Sequence, residues 1–385
     1  MLIGIDAAPL QAPQSGIPVF ARMLLSAIAA ERPGWRFTAF GWSGWTPVDA
    51  ARLTERPSGD NTSEALRARL VSTALGLPLL PAMRRAVRRR LFEILPLPPL
   101  DFHYALQFLP MGAIDAPVLP VIHDLAHLAL PHLVHPSRRR FLDRLPDVAR
   151  GAARVQAVSQ FTADDVSTRF GVPRDRIDVV TPSLRTLFFE PAQTEPLTAL
   201  GLAAGRYFLA AGMAEPRKNL DLLLEIAAGE SSPIAPDFPL VLTGAPAWKR
   251  GKAAQTLQRL EASGAVRPLG FVPLQTLHAL YAHATAFLMP SLHEGFGIPV
   301  IEALACGCRV IAADNSALPE AAGGHALLID PHDATGWRDA LAAVRETSAN
   351  PEVLAAGRAH AAQFTAERSA RAAIASVERF VAAQM

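Results

Sequence analysis

Glu294 and Glu302 stand eight positions apart in the run Ser-Leu-His-Glu-Gly-Phe-Gly-Ile-Pro-Val-Ile-Glu-Ala-Leu-Ala-Cys-Gly, residues 291–307. Gly295 and Gly297 flank Phe296, and without a Cβ they let backbone amides approach a bound molecule closely. Pro299 suits the first turn of a helix and Gly307 its end. That places Glu294 in a loop and Glu302 about one turn into the helix. Free amides at a helix start attract anions and hydroxyls, so the two carboxylates would bracket whatever binds there. Taken singly, Glu294 reads equally as a loop carboxylate and Glu302 as a charge favoured by the helix dipole. The glycines, the helix start and the preceding strand together favour binding.

Other elements must position these groups. The apolar run Ala286-Phe287-Leu288-Met289, closed by Pro290, predicts a buried strand feeding the loop. A second run, residues 116–122, leads into His123-Asp124. A histidine at the carboxyl end of a strand can hydrogen-bond a ligand hydroxyl or a reacting oxygen, although such a histidine is often structural. Leu2–Asp6 predicts another strand, followed by a loop carrying Gly16, where phosphate or sugar meets backbone in Rossmann-like folds. Pro18 removes one amide there, and Gly16 also fits an ordinary turn. The pairs His123/His127 and His132/His135 complete no ligand sphere, so no metal site is expected.

Composition narrows the classes. With 385 residues, two domains are expected. Half the residues are hydrophobic and 19% charged, which excludes a disordered chain. A formal net charge of +2 argues against general nucleic-acid binding. Residues 1–195 carry 22 Arg against 18 acidic residues, and the rest 15 basic against 17 acidic, so the amino half is the side suited to an anionic surface. Residues 66–92 hold seven arginines and no acid. Arg84, Arg85, Arg88, Arg89 and Arg90 are interleaved with Met83, Val87 and Leu91. The pattern fits a solvated helix face, or a basic amphipathic segment lying on an anionic membrane. Cys306 and Cys308 read as packing residues in a reducing compartment. The first residues predict a strand rather than a signal peptide. No apolar run reaches the roughly 20 residues of a spanning helix, so a soluble or membrane-peripheral protein, cytoplasmic or on the inner membrane face, is expected.

The stretch Glu294–Glu302, extended by Leu318-Pro319-Glu320 and Leu327–Pro331, resembles the E-x7-E signature of the retaining glycosyltransferases of glycosyltransferase family 4. The resemblance implies an α/β GT-B architecture, two facing Rossmann-like domains with a cleft between them. It also carries roles. Gly212–Leu220 resembles the donor-phosphate motif, so Arg217 and Lys218 would stabilise the leaving diphosphate. Only three of the chain's 37 basic residues are Lys, which sets Lys218 apart. Glu302 would take the ribose hydroxyls, and Glu294 would contact the donor sugar. The amides of Gly295, Phe296, Gly297 and Ile298 would hold sugar and phosphate. Val272 would border the base, Gly16 would face the diphosphate, and His123 would support the sugar face.

The expected division is residues 1–190 for the acceptor, 199–365 for the donor and 366–385 as a terminal helix that can cross back onto the first domain. The prolines of Thr181–Thr198 mark a linker. The implied reaction moves a hexose with retention, without metal or other cofactor, from a nucleotide sugar to a saccharide or lipid-linked acceptor. The motif context looks most like mannosyltransferases and hence GDP-mannose, with UDP sugars as the alternative. An epimerase or phosphorylase of the same architecture and a non-catalytic sugar-nucleotide binder are the rivals.

Overall fold

The computed structural model describes residues 1–11, 16–41, 44–53, 98–110, 115–212, 215–244 and 252–384. The basic segment with Arg84, Arg85, Arg88, Arg89 and Arg90, like Trp248-Lys249, lies outside the described residues.

Among the described residues, short runs, most of them apolar and buried, form two largely parallel sheets, as expected where helices cover both faces. The first sheet has seven strands: β1 (Leu2–Asp6), β2 (Arg36–Gly41), β3 (Gly44–Val48), β4 (Phe102–Ala105), β5 (Val118–Ile122), β6 (Val155–Ala157) and β7 (Ile177–Val179). Their order is β3-β2-β1-β4-β5-β6-β7, with only β2–β3 antiparallel. The second has six: β8 (Phe208–Ala211), β9 (Leu240–Thr243), β10 (Val266–Gly270), β11 (Ala286–Met289), β12 (Val310–Ala313) and β13 (Leu327–Ile329), ordered β10-β9-β8-β11-β12-β13. Each order reverses direction once, at β1/β4 and at β8/β11. Ligands of open α/β sheets bind outside the carboxyl ends of strands at such points.

Short helix α1 (Ala8–Gln11) follows β1, and α2 (Gly16–Glu31) follows it. Gly16 therefore opens a helix instead of lying in a loop, and Pro18 sits in its first turn, where its missing amide removes no helical bond. Helix α3 (Gln160–Phe170) starts at the Ser159 cap and ends at Gly171, φ +68°. The Thr181–Thr198 stretch connects the two sheets and is packed: Phe188 is fully buried, and Pro196 lies in the first turn of the short helix Glu195–Ala199. In the second half run α4 (Leu220–Ala228), α5 (Leu274–His283), α6 (Ile298–Ala305) and α7 (Leu318–Ala322). The last helix, α8 (Ala366–Ala382), lies against the first sheet, with Phe380 5.4 Å from Phe102 between ring centroids. Ser376 Oγ donates to Asp178 at the end of that sheet at 2.7 Å, and Arg379 and Arg154 donate to the same carboxylate at 2.7–2.8 Å. Among the described residues no helix is long and apolar enough to cross a membrane.

Candidate active site

Glycines line the carboxyl edge of the second sheet. Gly270, Gly244 and Gly212 end β10, β9 and β8 with φ of +66°, +106° and +127°. A Cβ on Gly244 would lie 2.0 Å from the Gly212 carbonyl oxygen, so only glycine permits this spacing. Beyond Gly212, the turn Pro216–Lys218 projects Arg217 and Lys218, and Asn219, at φ +53°, closes it. The Asn219 amide donates to the Pro290 and Pro331 carbonyls at 3.1 and 2.9 Å, and Leu292 N donates to Arg217 O at 2.8 Å. These bonds dock the turn onto the loop after β11. Asn315 holds that loop from the other side through the Ser291 and Leu292 carbonyls, and Ser316 Oγ accepts from Glu294 N at 3.0 Å.

The four charged residues singled out in the sequence divide into two groups. Glu294 is 7% exposed and meets both cations: Arg217 at 3.0 Å through Oε2 and Lys218 at 2.7 Å through Oε1. Arg217 also donates to Glu215 at 2.8 Å and to the His293 carbonyl at 3.1 Å. Burial alone would raise the Glu294 carboxyl; Arg217 and Lys218 outweigh it and bring it down to about 2. The same contacts raise Arg217 despite its burial. Glu302, in the second turn of α6, is not part of that cluster. Burial pushes its carboxyl up to about 7, opposed by Tyr281, whose hydroxyl donates at 3.1 Å, and by Arg185.

Gly297, φ +108°, turns the chain into α6 and packs against Leu318. The amides from Gly295 to Ile298 lie at this helix start, and such amides have no intrahelical acceptor. Phe296 is buried, its ring 5.4 Å from Phe364. Val272 is half-buried beside the exposed Phe271 at the open end of the sheet. Gly16 is exposed at the start of α2.

The first domain reaches this site through His123. Its Nε2 lies 2.7 Å from the Leu106 carbonyl, an acceptor, so Nε2 carries the proton and Nδ1 keeps a lone pair. Burial lowers its pKa, which fixes the neutral ring. Phe20 and Phe108 meet the imidazole edge-on at 5.2 and 5.4 Å, and Phe108 has φ +78°. The His123 carbonyl presses on Gly295 from across the cleft: a Cβ there would sit 1.5 Å from the oxygen. Glu294, Arg217 and Lys218 are thus brought together, and the His123 backbone lies against Gly295, next in sequence to Glu294, while its ring packs within the first domain.

The spacing of residues gave no sign of Tyr281 as the partner of Glu302, nor of His293, which is 5% exposed and packs edge-on to Phe161 at 5.7 Å. Tyr281 faces α6 from α5, where it is buried beside Leu280 and His278. No cluster of three or more metal-ligating side chains occurs among the described residues.

Two family models match the chain. "Glycosyltransferase Family 4" covers residues 14–185 and "Glycosyl transferases group 1" covers residues 202–357. The chain is 28% identical over 378 residues to the O-antigen chain mannosyltransferase B of Escherichia coli, covering 95% of this chain and 97% of that one. It is also 28% identical over 275 residues to the serotype-specific mannosyltransferase WbdA of Escherichia coli, spanning about a third of its length (33%) and 68% of this chain. Among solved structures, Anabaena Alr3699/HepE, described in complex with UDP and glucose, aligns with a TM-score of 0.66 at 18% identity, over 98% of this chain and 99% of that one. The chain belongs to the family 4 glycosyltransferases of the GT-B fold.

Proposed function

We propose that this glycosyltransferase moves mannose from GDP-mannose, with retention at the anomeric carbon, to a saccharide or lipid-linked saccharide acceptor in surface polysaccharide or glycolipid synthesis. The observation that carries the reading is the convergence of Arg217 and Lys218 on Glu294 at the start of α6. Breaking the glycosidic bond leaves negative charge on the nucleoside diphosphate. Two cations fixed in a partly buried site, beside the amides of Gly295–Ile298, stabilise that charge as it develops. Hydrogen bonds to charged groups are worth about 1.5–3 kcal/mol against about 0.3–1 for a helix dipole, so the side chains dominate. Glu294 sets the two cations and contacts the sugar. Glu302 takes the ribose hydroxyls, Val272 borders the base, Gly16 faces the diphosphate and the neutral His123 accepts a sugar hydroxyl at Nδ1. The departing phosphate oxygen takes the acceptor proton, so no separate base and no metal are invoked. The mannose assignment is supported by the likeness to the O-antigen mannosyltransferase over nearly the whole chain.

Incubation with GDP-mannose, UDP-glucose and other nucleotide sugars, with and without lipid-linked acceptor, tests this, with NMR of the product reading the anomeric configuration. Preferential use of a UDP sugar, or inversion, would refute it. Turnover abolished by chelator and restored by manganese would refute the metal-free step. Arg84, Arg85, Arg88, Arg89 and Arg90 are proposed to meet anionic lipid, and flotation with neutral vesicles equal to that with anionic ones would remove that contact.

A further inference from the structure

Helix α3 of the first domain is capped in part by a residue of the second. A helix leaves its first amides without intrahelical acceptors. Ser159 Oγ accepts from Thr162 N at 2.9 Å, as an N-cap does. The two amides before it, Gln160 N and Phe161 N, donate at 2.9 and 3.1 Å to the two carboxylate oxygens of Glu320, 160 and 159 positions away on α7. The same turn binds the second domain a second time. Ser159 Oγ and Thr162 Oγ1 donate to the Gly295 carbonyl at 2.6 and 3.0 Å, and both side chains are buried. Gly295 is the residue on which the His123 carbonyl rests.

We propose that Glu320 is a positioning residue: it latches the first domain onto the second in the arrangement that carries His123 to the donor pocket. It touches neither Glu294, Glu302 nor the Arg217–Lys218 pair among the contacts of the site. Its carboxylate answers the helix dipole and two amides at once. If the domains part, those amides must turn to water and the charge loses its partner, so the latch stabilises only the closed form. The acceptor-binding lobe and the donor-binding lobe are then brought into register for transfer, while the donor contacts of Arg217, Lys218, Glu294 and Glu302 stay within the second domain and those of Gly16 and His123 depend on the register. This rests on the function proposed above.

The test uses the full chain as wild type, Glu320→Ala and Glu320→Gln, measured by small-angle scattering with nucleoside diphosphate present and by steady-state kinetics with donor and acceptor. The Glu320→Ala protein is expected to scatter as a more open particle, with kcat lowered about tenfold and donor KM within about twofold. Glu320→Gln, which keeps acceptor oxygen but not charge, is expected to fall between. Scattering identical to wild type would overturn the latch, whatever the rate. A more open particle with unchanged kcat would overturn its role in positioning. A wild type that turns over no nucleotide sugar refutes the proposed function instead, because scattering reads closure without turnover.

Discussion

Lys218 Nζ lies 2.7 Å from Glu294 Oε1 while Arg217 takes the other oxygen at 3.0 Å, so one buried carboxylate organises two cations. Removing it strands both. Glu294→Ala is expected to destabilise the fold by about 3–5 kcal/mol, the usual result of breaking a buried ion pair, read from denaturant midpoints. Because the Glu294 carboxyl is depressed to about 2 from 4.5, its contribution is present above about pH 4.5 and is lost as pH falls through about 2. Acid unfolding of Glu294→Gln should lack that part of the slope; identical acid profiles would contradict the pairing.

Truncating the cations separates chemistry from structure. Lys218→Ala and Arg217→Ala should each lower kcat by about 10²–10³, in the range seen when one donor to a developing anion is removed. Donor KM should change less than kcat. A pure KM effect would mean that the pair binds the ground state only.

Glu302 predicts a pH dependence of the opposite kind. Its carboxyl rises to about 7 from 4.5, so it is largely neutral at pH 6 and ionised at pH 8. In the proposed role an ionised Glu302 would accept the two ribose hydroxyls, so nucleoside diphosphate affinity, measured calorimetrically, should increase through pH 7. For stability the sign reverses: the folded state keeps a proton that the unfolded chain releases, so this group lowers stability as pH climbs from about 4.5 to about 7. Glu302→Gln should flatten both. Tyr281→Phe, losing the 3.1 Å bond, should shift the binding midpoint upward; an unshifted midpoint would rule out Tyr281 as the group that steadies this carboxylate.

Gly295→Ala tests the approach of the two domains. Gly295 lies outside the positive-φ set, so its own backbone accepts alanine, yet the new Cβ would overlap the His123 carbonyl at 1.5 Å. Turnover should fall about a hundredfold, the scale set by an ångström of misplacement in an active site, with the melting temperature little changed. Retained turnover would show that His123 and Gly295 need not touch during transfer.

Much of this site could be read along the chain because its parts are local. Strand, glycine loop and helix start follow one another from Ala286 to Ala305, and each residue type there answers a backbone requirement. Arg217 and Lys218, beyond the end of β8, were singled out by the resemblance of Gly212–Leu220 to the donor-phosphate motif, which is also a local run. What escaped lies far apart in sequence: Glu320 meets α3 some 160 residues away, and Asp178 meets Arg379 at 201. No periodicity records such pairs, since a surface glutamate and a capping glutamate look alike until the domains meet. The prolines of Thr181–Thr198 marked the connection between the sheets but not its packing, because the burial of Phe188 depends on residues distant in sequence.

Asp178 also decides how the two lobes can move. Because Ser376, Arg379 and Arg154 bind it, the polypeptide leaves the first lobe and comes back to it, and the outgoing and returning segments touch where Leu184 N donates to Phe364 O at 2.9 Å. Two tethers side by side behave as a door hinge with paired leaves: they allow swing about one axis and oppose twist or sideways slip. A protease cut in either tether would leave the other as a leash, so a nicked molecule should still migrate as one particle.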